Sequence, residues 1–198
     1  ATARTASSKI PEFGPSIDMT SCLTRWRFLP VLALLFVLAA CGGEEEVVVL
    51  TCPQVLIVDE ASRLTQYAPG DGRDMLDIRY DAKIGTVEWV CEFHAEENRV
   101  DVEVRFGVLA LRGPAAESSV ARLPYFVAVA DPQGEIMAKQ VFAIESEFPG
   151  NALEIGHVET VFQHLHYASL SQAQSYTVYI GFQLTPKQLQ DVRAGAGF

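Results

Sequence analysis

Basic side chains are scarce in this sequence. Its 198 residues include 15 Lys and Arg residues against 25 Asp and Glu residues, a formal charge of −10. Proteins that bind nucleic acid present a basic surface, so this balance argues against a nucleic-acid partner. Cysteine is also sparse. Four cysteines in a chain of this length exclude a disulfide-dense miniprotein. The 49% of apolar residues nevertheless allows a packed core.

No apolar run of the length needed to cross a bilayer stands out. The uncharged run at residues 28–40 has 13 residues, whereas a transmembrane helix needs about 20. A run of this length is typical of the apolar region of a signal peptide. Arg25 and Arg27 supply the positive charge expected before it, and Met19 opens the segment. Residues 19–40 are therefore predicted to be a signal peptide.

The end of this segment has a specific pattern: Leu38, Ala39, Ala40 and Cys41 follow one another. The four residues resemble the lipobox of bacterial lipoproteins. The resemblance implies that Cys41 becomes the mature N-terminus and carries acyl chains, palmitate among them. An ordinary signal peptide, or a buried apolar segment with a chance cysteine, is the alternative.

The same resemblance implies a location in the bacterial cell envelope, with the domain facing the periplasm. Gly42 is not the aspartate that such proteins carry for retention in the inner membrane, so the outer membrane is favoured. Residues 41–198 contain 11 basic and 23 acidic side chains, a charge of −12. Anionic lipid repels such a domain, so the lipid anchor alone would hold it to the membrane.

Composition divides the rest of the chain into further segments. Residues 1–18 show no periodicity and are expected to be an upstream or vector-derived segment. Residues 41–46 form an acidic tether, and residues 194–198 are expected to fray. The folded domain is predicted to cover residues 47–193.

Within this domain the dominant period of the apolar residues is two. Val100 to Val108 alternate with charged residues and glycine, as a strand with one wet face does. The segments 77–84 and 176–184 alternate in the same way, whereas residues 125–130 are apolar on both faces and indicate a central strand. Seven or eight such strands predict an all-β fold, a single immunoglobulin-like β-sandwich in the loose architectural sense. A closed barrel is the alternative.

Two local signals sharpen this prediction. The turn sequence Asp131-Pro132-Gln133-Gly134 predicts a hairpin that joins 123–130 to 135–144. Thr185, followed by Pro186 and by Gln188, predicts the capped start of a short C-terminal helix that runs to about Arg193. Leu184 and Leu189 have the spacing of a hydrophobic staple.

Two cysteines remain once Cys22 in the signal peptide and Cys41 are set aside. Cys52 and Cys91 form an even pair in a chain predicted to be exported, which favours a disulfide. Two free thiols, a metal pair or a catalytic thiol are the alternatives. The sequence has no CxxC spacing that would support a metal pair or a catalytic thiol.

Histidine supplies the best candidate for a ligand site. His164 and His166 are two residues apart, so on a strand they share one face and could hold copper or zinc. His157 has the opposite parity, and a third ligand would have to come from another strand or a bulge. An exposed polar strand face is the competing interpretation, and we expect no resident metal or other cofactor.

No catalytic motif accompanies these residues. The sequence contains no G-x-S-x-G elbow, no Walker loop and no GxGxxG. We therefore expect a membrane-anchored, non-enzymatic binding or scaffolding module with an envelope protein as its partner. The alternatives are a periplasm-facing lipoprotein that binds metal or a small ligand through His164 and His166, and a hydrolase with dispersed catalytic residues.

Overall fold

The computed structural model describes residues 50–194, which form one sandwich of two β-sheets. The eight strands are β1 (Gln54–Ile57), β2 (Arg63–Tyr67), β3 (Ile78–His94), β4 (Arg99–Arg112), β5 (Val120–Ala130), β6 (Ile136–Glu147), β7 (Glu154–His166) and β8 (Thr177–Phe182). Two α-helices follow β7 and β8, namely α1 (Leu170–Ser175) and α2 (Pro186–Arg193). The prediction of an all-β sandwich with a short C-terminal helix is confirmed at this level.

Four strands form each sheet. Sheet A has the order β1-β8-β5-β6, and sheet B has the order β2-β3-β4-β7. β1 pairs with β8 in parallel, and the other strand pairs are antiparallel. The two sheets are separate, so the barrel alternative is wrong. β2 pairs only with the first part of β3, so the second part of β3 has one unpaired edge among residues 50–194.

The period-two pattern predicts the buried face of β4 correctly. Its even-numbered residues from 100 to 110 point between the sheets and are at most 2% exposed; they are Val100, Val102, Val104, Phe106, Val108 and Ala110. The odd-numbered residues point outward. Because side chains alternate across a strand, the same alternation that buries valines presents charges on the outer face of sheet B.

β5 is the central strand that its sequence indicates. It lies between β8 and β6, and residues 127–130 are buried on both faces. Part of the cover over the outer face of sheet A comes from the short 3₁₀ turn Asp59–Ala61, which passes over β8 at Gly181. A Cβ at Gly181 would lie 2.7 Å from the Cβ of Ala61, so this close approach requires glycine.

The predicted turn between β5 and β6 is present. Gly134 donates its backbone N–H to the Asp131 carbonyl at 2.9 Å and has φ +84°. The Asp131 carboxylate also accepts from the N–H groups of Gln133 and Glu135. Asp131 therefore closes the hairpin through both its backbone and its side chain.

The capped helix α2 also forms as predicted. The Gln188 backbone N–H donates to Thr185 Oγ1 at 3.2 Å, and the Thr185 N–H donates to Gln188 Oε1 at 2.8 Å. Helix α1, which Ser169 caps at its N-terminus, is not among the elements predicted from the sequence. A helix of six residues is too short to show a helical period in the sequence.

Candidate functional site

Several predicted features lie outside residues 50–194. They are the lipidation site Cys41, the signal peptide 19–40, the upstream segment 1–18, the tether 41–46 and most of the tail 194–198. These features stay predictions from the sequence. In the part of the chain that the structure describes, no helix combines the length and the apolar character needed to span a membrane.

The predicted disulfide between Cys52 and Cys91 is confirmed. Their Cα atoms lie 5.7 Å apart, within the range that a disulfide needs. Cys91 lies on β3 of sheet B, whereas Cys52 lies two residues before β1 of sheet A. The bond therefore ties the start of the domain to the opposite sheet.

His164 and His166 share the outer face of β7, as their spacing predicts. His164 Nδ1 lies 2.8 Å from Asp101 Oδ1 on the neighbouring strand, and His166 is in register with Arg99. The described residues contain no group of three His, Cys, Asp or Glu side chains arranged to hold a metal ion. The structure therefore does not bring a third ligand to this pair.

Asp101 is instead the centre of an ion-pair cluster. Its carboxylate accepts from His164 and from Arg99 Nε, each at 2.8 Å, and His94 Nε2 lies 3.2 Å from its second oxygen. Burial acts to raise the pKa of Asp101, but the hydrogen bonds from His164 and Arg99 outweigh it and hold the pKa below its ordinary value. The cluster crosses β3, β4 and β7 and ties the open end of sheet B together.

A second polar group lies between the sheets and was missed by the sequence analysis. Tyr125 on β5 donates its hydroxyl to Glu159 Oε1 on β7 at 2.8 Å, and His157 Nε2 lies 2.9 Å from the other oxygen. The Tyr125 ring also packs against Phe106 and Phe142, with each pair of centroids 5.3 Å apart. The signal for this contact was the parity of Glu159, which matches the buried positions of β7 rather than its wet face.

This group links the two sheets through the hydrogen bond between Tyr125 and Glu159. Burial and the neighbouring Glu159 carboxylate raise the pKa of the Tyr125 phenol, so it stays a hydrogen-bond donor at neutral pH. Within residues 50–194, the hydrogen bonds of the histidine rings go to carboxylates and not to a serine or cysteine nucleophile. The hydrolase alternative therefore gains no support from this geometry.

The outer face of sheet B carries an unusual row of side chains. Val90 on β3, Glu103 on β4 and Phe162 on β7 are directly opposite one another. Val90 and Phe162 are 63% and 60% exposed, so the carboxylate of Glu103 stands between two exposed apolar groups. They line a shallow depression of about 340 Å³ together with Cys91, Glu92, Asp101 and His164.

Comparisons with known proteins returned no match: no family model, no curated protein and no solved structure resembles this chain.

Proposed function

We propose that this protein is a bacterial cell-envelope lipoprotein, held to the membrane through acyl chains on Cys41. The observation that carries the proposal is the run Leu38-Ala39-Ala40-Cys41, whose first three residues end the apolar segment 28–40. The disulfide between Cys52 and Cys91 supports export, because such bonds persist in oxidising compartments.

The charge of the mature chain makes the lipid anchor necessary. Residues 41–198 carry a charge of −12, which gives no attraction to anionic lipid. Two or more acyl chains suffice for stable attachment, since each buried CH₂ contributes about 0.8 kcal/mol. Gly42 favours sorting to the outer membrane, with the domain in the periplasm.

We further propose that the domain is a non-enzymatic module that binds or scaffolds another envelope protein. A sheet edge suits this role, because unpaired backbone groups can accept a further strand. β6 is such an edge in sheet A, and its residues 136–141 are exposed on both faces. Ile136, Met137 and Val141 leave more than half of their surface in solvent there.

We retain the immunoglobulin-like description as part of this proposal. It is supported by two packed four-stranded sheets and by the parallel pairing of β1 with β8. A comparison of strand connectivity with immunoglobulin domains tests it.

Metabolic labelling with radioactive palmitate tests the anchor. We expect label in the wild type and in the control variant Cys22→Ser, because Cys22 precedes the cleavage site. Cys41→Ser should carry none, and any processed Cys41→Ser protein should leave the membrane fraction. An unlabelled wild type, or a processed Cys41→Ser protein that stays with the membranes, would contradict the proposal.

A further inference from the structure

We infer that the outer face of sheet B binds a basic segment of a partner protein, with an arginine side chain seated against Phe162, Val90 and Glu103. This inference rests on the proposed binding function and names the chemistry of its partner. We refer to Glu88, Val90, Glu92, Glu103 and Phe162 as the Phe162 face.

The apolar part of the Phe162 face is placed by strand register. Val90 and Phe162 flank Glu103 on the two neighbouring strands. Directly opposite residues have Cβ atoms about 4.5–5.5 Å apart, so the three side chains are within reach of one ligand group. Since both apolar groups are largely exposed, a partner that covers them removes apolar surface from water.

The charged part of this face has three carboxylates and one adjoining cation, Arg105, which is directly opposite Glu88. None of the ion pairs among residues 50–194 includes Glu88, Glu92 or Glu103. The nearby cation Arg99 already pairs with Asp101 and Glu97. Glu92 and Glu103, which have no ion pair among residues 50–194, are therefore available to a cation from outside.

An arginine side chain fits exposed apolar groups beside a carboxylate better than the side chain of lysine does. A guanidinium is planar, stacks on an aromatic ring and presents a fork of donors to a carboxylate. Its alkyl stem can cover the exposed Val90 while its head contacts Glu103. A second copy of this chain is disfavoured as the occupant, because it would bring the same acidic face and the same net negative charge.

Fluorescence anisotropy with the full chain in detergent and a labelled Arg-Ala repeat peptide tests the inference. We expect Glu103→Gln and Phe162→Ala each to raise the Kd about fivefold, while Phe162→Trp keeps the affinity of the wild type. A lysine peptide of equal charge should bind more weakly. The matched controls on β7 are Glu154→Gln and Val158→Ala, which remove an exposed charge and an exposed apolar group elsewhere on the sheet.

Equal affinity for the wild type and the two Phe162-face variants would overturn the inference. Equal losses in the controls would do so too, because they would indicate general attraction between a cationic peptide and an acidic protein. All the substituted side chains are solvent-exposed or lie on the outer face, so the variants should fold, which circular dichroism checks. If the wild-type protein does not bind the arginine peptide but is labelled normally with palmitate, this inference is rejected and the proposed lipid anchor is not.

Discussion

The two strands of the hairpin β5–β6 are neighbours in sequence and pair along their length, yet their surroundings differ sharply. The last four residues of β5 are buried on both faces. The first six residues of β6 are all exposed, and four of them pair with that segment. Both segments contain large apolar residues, so composition alone does not explain the difference.

The difference follows from the number of neighbours that each strand has. Among residues 50–194, β5 has β8 on one edge and β6 on the other, whereas β6 has only β5 as a neighbour. On the outer face, Lys139 of β6 covers Phe126 of β5, with the ammonium 4.3 Å from the ring centroid. An edge strand thus covers its inner neighbour without being covered itself, and this leaves β6 free for a partner.

Removal of β8 should have the largest effect, because it would turn β5 into an edge strand as well. Truncation before Tyr176 deletes Val178, Ile180 and Phe182, which contribute roughly 1.5–3 kcal/mol each by burial. We expect this chain not to fold. Truncation after Leu184 removes only α2 and should lower the melting temperature by about 2–4 °C, since a helix cap contributes about 1 kcal/mol. Thermal melts compare the two; an unchanged melting temperature without residues 176–198 would contradict the central position of β5.

The next test compares one aliphatic residue from each strand of the hairpin. Leu123 on β5 is 0% exposed and Ile136 on β6 is 56% exposed. Leu123→Ala should lower the free energy of unfolding by about 2–5 kcal/mol, because it leaves a cavity. Ile136→Ala should change it by no more than about 0.5 kcal/mol. Urea denaturation measures both, and similar losses would mean that β6 is covered in solution.

The hydrogen bond between Tyr125 and Glu159 should have an intermediate effect. Tyr125→Phe keeps the packed ring but removes the link between the sheets, and we expect a loss of about 1.5 kcal/mol. Tyr179→Phe removes a hydroxyl from the outer face of β8 and serves as the control.

The same variant has a distinct signature at high pH. The folded-state pKa of Tyr125 is raised above its unfolded value near 10, so its contribution is complete below that pH and is lost as the pH rises further. The free energy of unfolding of the wild type should therefore fall more steeply above pH 10 than that of Tyr125→Phe. Parallel curves would show that the phenol is not buried against the carboxylate.

The smallest effect should come from the exposed end of sheet B. The pKa of Asp101 is lowered from its ordinary value of 3.8, so its contribution is present above that pH and is lost as the pH falls through the folded-state pKa. Asp101→Asn should cost less than about 1 kcal/mol at neutral pH and should flatten the loss of stability in acid. Glu154→Gln is the control. If the free energy of unfolding of Asp101→Asn falls in acid as steeply as that of the wild type, the prediction is wrong.

The candidate site was predictable only in part. The shared face of His164 and His166 follows from the strand period and is present. Their partners did not follow, because Asp101 is about sixty residues away in the chain and reaches His164 only when β4 pairs with β7. Glu159 was visible as an inward-facing carboxylate, but the hydrogen bond that it accepts from Tyr125 requires the packing of two sheets.

Local stereochemistry explains what the sequence by itself determined. Residues close in sequence determine three features: the alternation in β4, the turn at Asp131 and the cap at Thr185. The disulfide partner of Cys91 was predictable because Cys52 is the one cysteine left after Cys22 and Cys41 are set aside. The order of strands in each sheet, the exposed edge at β6 and the row at Phe162 are decided only by contacts between distant segments. The sequence of a strand does not indicate how many neighbouring strands it will have. The tertiary structure therefore decides which apolar side chains stay exposed to solvent.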